Sequence, residues 1–131
     1  MKLGIVGSRS LSSNKIRQYV FDLLDKKRSE LECIVSGGAK GPDSFAYEWT
    51  YQRGGKFILY RPDYEKHGKG ATFIRNSLIV KDSDVIVAFY DGKSRGTMDS
   101  IKKARKSGKK LVILTFSPET SEFVSREKYN F

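Results

Sequence analysis

Five short apolar runs recur along the chain, separated by longer amphipathic segments. Within each run the apolar residues are nearly continuous instead of alternating with polar ones, which is typical of strands buried on both faces of a parallel sheet. The runs predict strands at residues 2–6, 32–36, 56–60, 85–89 and 111–115.

The segments between these runs place apolar residues at helical spacing. After a stretch rich in helix-capping residues, Ile16, Val20 and Leu24 fall on one face, and lysines follow near the end of the segment. The same spacing predicts three further helices, at about residues 43–53, at 71–81 and from about Met98 to Gly108.

Alternating strands and helices predict a doubly wound α/β fold, in which about five parallel strands carry helices on both faces. Residues 1–131 contain no linker, repeat or low-complexity segment, so we expect a single domain with its core at about residues 1–115. Residues 116–131 are polar with scattered aromatics and are expected to form a tail. The segment at residues 61–70 is expected to be a loop.

Glycines, serines and arginines collect where the predicted strands end. In doubly wound sheets ligands bind beyond the carboxyl ends of the strands, so these residues are candidates for a site. Turns after strands also use glycine and serine for purely conformational reasons, but so many at one edge favours ligand binding. The residues concerned are Gly7, Ser8 and Arg9 after the first strand, Ser36, Gly37 and Gly38 after the second, Arg61 after the third, and residues 91–97 after the fourth.

The glycine-rich turn at residues 36–43 precedes a predicted helix, whose first amides would lack partners in the helix. An anion, most often a phosphate, is the usual occupant of such a position. We therefore expect the amides of Gly37, Gly38, Gly96 and Thr97 to hold phosphate oxygens, with the hydroxyls of Ser36 and Thr97 adding bonds. Arg9 or Arg75 would clamp the anion. Asp43 either caps the helix or faces a ribose hydroxyl.

Net charge and motif spacing narrow the range of ligand classes further. A net charge of +10 on 131 residues favours anionic partners such as nucleotides or nucleic acid. The G-x-G-x-x-G spacing is absent after the first strand, which argues against a nicotinamide cofactor, and we expect no cofactor at all.

A basic cluster on and after the fourth helix is either a solvated helix face or a nucleic-acid contact. It consists of Lys102, Lys103, Arg105, Lys106, Lys109 and Lys110.

Other residue types exclude several classes of protein. Cys33 is the only cysteine and His67 the only histidine, so we expect neither a disulfide nor a zinc site. The longest apolar run has about five residues, too few to span a membrane. The first residues lack the long apolar region of a secretory signal. We therefore expect a cytoplasmic location.

Four motifs in this order resemble the SLOG superfamily, which groups the DprA/Smf proteins with the LOG (lysine-decarboxylase-like) proteins. They are Gly7-Ser8-Arg9, the Ser36-Gly37-Gly38-Ala39-x-Gly41-x-Asp43 stretch, the Arg75-Asn76 pair, and Asp84 to Phe89 followed by Gly92-x-Ser94-x-Gly96-Thr97. The similarity extends over about residues 3–115 and is greatest to small stand-alone YspA-like members. It implies a Rossmann-like fold and a pocket for nucleotides or nucleotide-derived ligands, often in a homodimer or higher homo-oligomer.

The resemblance implies a set of ligand-binding residues and two further functions. LOG enzymes cleave the N-glycosidic bond of nucleoside monophosphates with an arginine and a glutamate. Arg75 matches the arginine, but Ser100 replaces the glutamate, which leaves Asp99 as the substitute carboxylate. DprA-like proteins bind single-stranded DNA with a similar domain. The expected ligand-binding residues are Gly7, Ser8, Arg9, Ser36, Gly37, Gly38, Ala39, Gly41, Asp43, Arg75, Asn76, Asp91, Ser94, Gly96 and Thr97.

Three functions follow from the residues and the resemblance together. The first is a protein that binds a nucleotide or nucleotide-derived molecule, as a sensor or by sequestering it. The second is a nucleoside-monophosphate glycosidase that uses Arg75 and Asp99. The third is a binder of single-stranded nucleic acid.

Overall fold

The computed structural model describes all 131 residues, and its centre is one six-stranded sheet in the order β3-β2-β1-β4-β5-β6. The first five strands are parallel, which confirms the predicted doubly wound α/β fold. The strands are β1 (Lys2–Gly7), β2 (Cys33–Ser36), β3 (Phe57–Leu59), β4 (Val85–Tyr90), β5 (Lys110–Phe116) and β6 (Phe123–Tyr129).

The four predicted helices are present, and two of them begin with a serine cap. Ser13 accepts a hydrogen bond from the amide of Ile16, and Ser94 accepts one from the amide of Thr97. No helix is both long and apolar enough to cross a membrane. The helices are α1 (Asn14–Lys27), α2 (Pro42–Arg53), α3 (Tyr64–His67), α4 (Ala71–Asp82) and α5 (Arg95–Lys106), with 3₁₀ turns at Arg28–Glu30 and Gly68–Gly70.

The segment expected to be a loop at residues 61–70 contains α3 and the second 3₁₀ turn. Asp63 caps α3 by accepting a hydrogen bond from the amide of Lys66. The helix has only four residues, too few for apolar periodicity to be recognised in the sequence.

Each face of the sheet carries its own apolar layer, because the central strands are covered on both sides. On one face Ile5 and Phe89 pack with residues of α1 and α2, including Val20 and Trp49. On the other face the strands pack against α4 and α5. The central members of that second layer are Val35, Ile79, Ile86, Ala88, Ile101 and Ile113.

The expected tail instead forms β6, an edge strand antiparallel to β5. Leu111 pairs with Tyr129 at one end of this hairpin, and Phe116 pairs with Phe123 at the other. Most of the β6 side chains are exposed, so the strand lacks the apolar pattern that revealed the buried strands. Because the chain turns directly from β5 into β6, no helix follows β5.

The order of the strands reverses between β1 and β4, which lie side by side. From β1 the chain proceeds outward through β2 and β3, whereas from β4 it proceeds outward through β5 in the other direction. The loops that leave β1 and β4 therefore diverge and open a crevice at the carboxyl edge of the sheet.

Candidate functional site

A cleft of about 310 Å³ occupies the crevice between the ends of β1 and β4. Its walls come from the loops after β1, β2 and β4 and from one face each of α4 and α5. The cleft therefore lies where the strand-end residues predicted a site. The predicted ligand residues that line it are Gly7, Arg9, Ala39, Asp43, Arg75, Asn76, Asp91, Ser94, Gly96 and Thr97.

The other predicted ligand residues, Ser8, Ser36, Gly37, Gly38 and Gly41, are not part of the cleft lining, and Gly38 is exposed. The Ser36 hydroxyl donates to the carbonyl of Ile5 at 2.8 Å, so it is not available to a phosphate. Gly41 has a φ of 95°, and a Cβ there would lie 2.9 Å from the carbonyl oxygen of Ser8. This glycine is required by the packing of the two loops.

Asp91 organises the loop after β4. Its carboxylate accepts hydrogen bonds from the Ser10 hydroxyl at 2.6 Å and from the amides of Lys93 and Ser94 at 2.9 and 2.8 Å. Burial acts against the charged form, but these hydrogen bonds outweigh it and hold the pKa of Asp91 below its ordinary value. Asp91 is thus an anion that joins the β1 and β4 loops.

The N-terminus of α5 opens into the cleft. Its cap, Ser94, satisfies the amide of Thr97, while the amides of Arg95 and Gly96 have no protein acceptor. A Cβ added at Gly96 would meet no atom within 4 Å, and the φ of this residue is not positive. Neither backbone conformation nor packing therefore explains a glycine in the first turn of this helix.

Two of the four amides predicted to hold a phosphate already have protein acceptors. The amide of Gly37 donates to the Asp43 carboxylate at 3.1 Å, and that of Thr97 donates to Ser94. The Thr97 hydroxyl likewise bonds to the hydroxyls of Ser8 and Ser94, both at 3.1 Å. The prediction that the amides of Gly37 and Thr97 and the Thr97 hydroxyl hold a phosphate is corrected accordingly. The amides of Gly38 and Gly96, in contrast, have no protein acceptor.

Arg75 and Asn76 connect α4 to the loop after β2 and to α5. The Arg75 guanidinium donates to the carbonyl of Gly37 and to the Asn76 side chain, each at 3.0 Å. The Asn76 amide in turn donates to the carbonyl of Gly96 at 3.3 Å and to the Asp99 carboxylate at 3.2 Å. No carboxylate forms an ion pair with Arg75, so much of its charge faces the cleft.

Asp43 is a buried carboxylate in the cleft wall, only 4% exposed. Oδ2 accepts the amide of Gly37, whereas Oδ1 has no hydrogen-bond partner. Burial raises the pKa of Asp43 from 3.8 to about 6, although the nearby Arg75 charge acts in the opposite direction. Asp43 is not the helix cap that one reading of the sequence predicted, because Gly41 takes the cap position of α2.

Arg9 lies at the mouth of the cleft with an exposed side chain. It makes no hydrogen bond or ion pair with the rest of the protein. A guanidinium without a partner at this position can bind an incoming anion without first breaking an internal contact.

Asp99, the predicted catalytic carboxylate, lies outside the cleft lining. Its Oδ2 accepts bonds from Lys103 Nζ at 2.7 Å and from Asn76 at 3.2 Å. Ser100 takes the position that faces the cleft instead. No group of three or more His, Cys, Asp or Glu side chains is arranged to hold a metal ion.

Sequence reasoning missed three polar residues of the lining: Ser10, Thr72 and Ser100. Thr72 precedes the predicted Arg75 by one helical turn, and Ser100 follows Gly96 by one turn, so helical spacing from known site residues would have found both. Ser10 directly follows the predicted motif at residues 7–9.

Four of the six residues of the basic cluster on and after α5 have contacts within the protein, including Lys110, which lies 5.8 Å from the ring centre of Phe131. Lys103 pairs with Asp99, the Lys109 ammonium donates to the carbonyls of Lys81 and Ser83, and Arg105 lies 4.1 Å from the ring centre of Tyr129. Only part of the predicted charge is therefore free for an external phosphate.

Known proteins resemble both the sequence and the fold. A family model described as DNA recombination-mediator protein A matches residues 1–60. The DNA processing protein A of Helicobacter pylori has 26% sequence identity, and its structure superposes on 86% of this chain with a TM-score of 0.70. These comparisons confirm the resemblance to the SLOG superfamily.

Two other similar proteins define how far the similarity extends. The Gene 61 protein of Mycobacterium phage D29 is 40% identical over 81 residues, which are 57% of this chain and 65% of the phage protein. The molybdenum cofactor carrier protein of Chlamydomonas reinhardtii shares the fold, with 19% identity, a TM-score of 0.69 and coverage of 86% of this chain and 75% of that one. The chain spans less than two thirds of the length of the phage protein and 64% of the Helicobacter pylori chain.

Proposed function

We propose that the cleft binds the phosphate of a nucleotide or nucleotide-derived molecule, and that the protein acts as a sensor or by sequestering this ligand. The observation that carries the proposal is the N-terminus of α5. Gly96, whose amide has no acceptor and whose Cα has open space above it, lines a cleft that also contains Arg9.

The physical basis is the electrostatics of a helix N-terminus. Aligned peptide dipoles place a partial positive charge there, and free amides supply hydrogen bonds to an anion. Arg9 and Arg75 add full positive charges on two other walls. A volume of about 310 Å³ is at the lower end of the range of small-molecule sites, which suits a mononucleotide better than a large cofactor.

Isothermal titration calorimetry with AMP, other monophosphates, cyclic nucleotides, ADP-ribose and inorganic phosphate tests this proposal. We expect at least one nucleotide to bind with a dissociation constant in the micromolar range, and Arg9→Ala and Gly96→Ala each to weaken it at least tenfold. Gly70→Ala is the matched control, because Gly70 also has open space around it but lies outside the cleft. Unchanged affinity in Arg9→Ala and Gly96→Ala would place the site elsewhere.

Single-stranded nucleic acid is a second candidate, because its phosphates could use the same amides and arginines. The match to the family model for DNA recombination-mediator protein A supports it, as does the similarity to the Helicobacter pylori protein, which binds single-stranded DNA. The dependence of binding affinity on salt concentration distinguishes the two candidate functions. Binding through many phosphates falls steeply as salt rises, whereas a mononucleotide loses far less affinity.

The glycosidase alternative has less support from the geometry. Cleavage of a glycosidic bond needs a carboxylate near the developing positive charge, and Asp99 is held by Lys103 and Asn76 outside the cleft. A chromatographic assay for free base, run on each nucleotide that binds, decides this question. Released base that disappears in Asp99→Asn would restore the catalytic role of Asp99.

A further inference from the structure

A second concave surface, of about 670 Å³, lies on the face of the sheet that carries α1. One wall is α1, which contributes Tyr19 and Leu23, and the opposite wall is β6. We call this surface the α1–β6 groove. Its floor is apolar and consists of Leu3, Val85, Val87, Val112 and Leu114.

The groove exists because the chain continues from β5 into an antiparallel hairpin. On this face α1 and α2 cover the layer that includes Ile5 and Ile34, whereas α4 and α5 both lie on the opposite face. Val85 and Val112 in the floor are consequently only half-buried. Parallel sheets are ordinarily covered by helices on both faces, so one helix position over β4 and β5 is vacant.

Positive charges surround the apolar floor. Arg126 and Lys128 project from β6, and they make no ion pair with any carboxylate. The acidic residues of the groove are Asp22 and Glu30, and Glu30 lies 3.8 Å from Lys27. The basic side chains of the groove outnumber the acidic ones. The basic residues are Lys26, Lys27, Lys110, Arg126 and Lys128.

We propose that the α1–β6 groove binds an amphipathic helix of a partner protein, with acidic residues on both sides of its apolar face. Such a helix would cover the half-buried Val85, Val112 and Leu23 with leucine-like side chains and place its carboxylates beside the lysines and Arg126. The helix would complete the α/β layer that the hairpin leaves open.

Charge also argues against a second copy of this chain as the occupant. The chain has a net charge of +10, and its own helices offer no free acidic face. Two helices contain two acidic residues each. In α2, Asp43 is buried and Glu48 is held by Arg17 at 2.7 Å. In α1, Asp25 is held by Trp49 and Arg53, and Asp22 lies in the groove itself. A basic groove and a basic partner surface would repel each other.

The test is fluorescence anisotropy with a labelled sixteen-residue helical peptide that has leucines on one face and glutamates beside them. Two control peptides accompany it, one with the same composition but scattered leucines, and one with lysines in place of the glutamates. We expect only the first peptide to bind, with a dissociation constant in the micromolar range. The double variant Arg126→Glu with Lys128→Glu should weaken it at least tenfold. These side chains are exposed, so the fold should tolerate the change.

The matched control is Lys102→Glu with Lys106→Glu, which makes the same change of charge on exposed positions of α5, on the other face of the sheet. It should leave peptide binding unchanged. Equal weakening by both double variants, or equal binding of the scattered peptide, would overturn the proposal in favour of unspecific attraction. Absence of binding would overturn it too. Sedimentation that reveals a dimer, lost only in the β6 variant, would identify a second copy as the occupant instead.

Discussion

Replacing Asp43 with asparagine should make the protein more stable at neutral pH, and the gain should vanish in acid. Asp43 is buried, and its pKa of about 6 lies above the ordinary value of 3.8. The difference is about 2 units, and each unit corresponds to ~1.36 kcal/mol, so ionising the folded protein costs about 3 kcal/mol.

The direction in which Asp43 changes the stability with pH follows from proton binding in the folded and unfolded states. Between pH 4 and 6 the folded state holds the proton on Asp43 while the unfolded state releases it, so the free energy of unfolding falls as pH rises. This contribution is fully present below about pH 3.8 and is lost above about pH 6. Asp25, Glu48 and Asp82 have lowered pKa values and change stability in the opposite direction, which masks the effect in the wild-type profile alone.

The assay is therefore a difference between two proteins. Urea unfolding of the wild type and of Asp43→Asn, measured from pH 4 to pH 8, gives two free energies of unfolding at each pH. Because asparagine resembles the protonated carboxyl in shape, the two should be similar near pH 4. The variant should then gain about 3 kcal/mol relative to the wild type by pH 7. A difference that stays constant with pH would refute the assignment of a buried, proton-binding carboxyl to Asp43.

Three further substitutions test other parts of the molecule. Gly96→Ala should raise the free energy of unfolding by up to ~1 kcal/mol in urea, because alanine favours the helix and its Cβ meets no atom; destabilisation would show that the glycine has a structural role. Asp91→Ala should lower stability by about 1–3 kcal/mol in the same assay, because it leaves the amides of Lys93 and Ser94 without their acceptor, and a neutral result would contradict the proposed role of Asp91 in the loop. Phe116→Ala should cost about 3–5 kcal/mol, measured by thermal unfolding, since Phe116 is fully buried beside Phe89 and Tyr19; a loss below 1 kcal/mol would mean that the β5–β6 hairpin packs differently.

The parts of the fold that could be predicted from the sequence are those in which burial leaves a pattern. Strands β1, β2, β4 and β5 read as continuous apolar runs because nearly all of their side chains, on both faces of the sheet, are buried or half-buried. Strand β6 could not be recognised, because it is an exposed edge strand in which Ser125, Arg126, Glu127 and Lys128 stand in succession. Its position depends on pairing with β5, which is a property of the folded chain and not of the local sequence.

The site was predictable as a place but not as a set of interactions. Residue types at the strand ends indicated which loops meet, because the carboxyl ends of parallel strands share one edge. Which groups are free depends on hydrogen bonds between distant segments. The amide of Gly37 is satisfied by Asp43, and Arg75 on α4 donates to the carbonyl of Gly37. Such pairings are set by atomic positions, which the order of residues does not specify.

The glycines illustrate this distinction. At Gly7 a Cβ would collide with Pro42, at Gly37 it would collide with Arg75, and at Gly41 both packing and a positive φ require glycine. The protein itself therefore requires glycine at positions 7 and 41, whereas at Gly37 the Cβ would meet the end of the flexible Arg75 side chain, which can move. Gly96 has neither reason, and it stands in a helical turn where alanine would be more favourable. The fold does not need a glycine at position 96, and the amides of Gly96 and Arg95 have no acceptors. These two observations together are the strongest argument for a ligand at the start of α5.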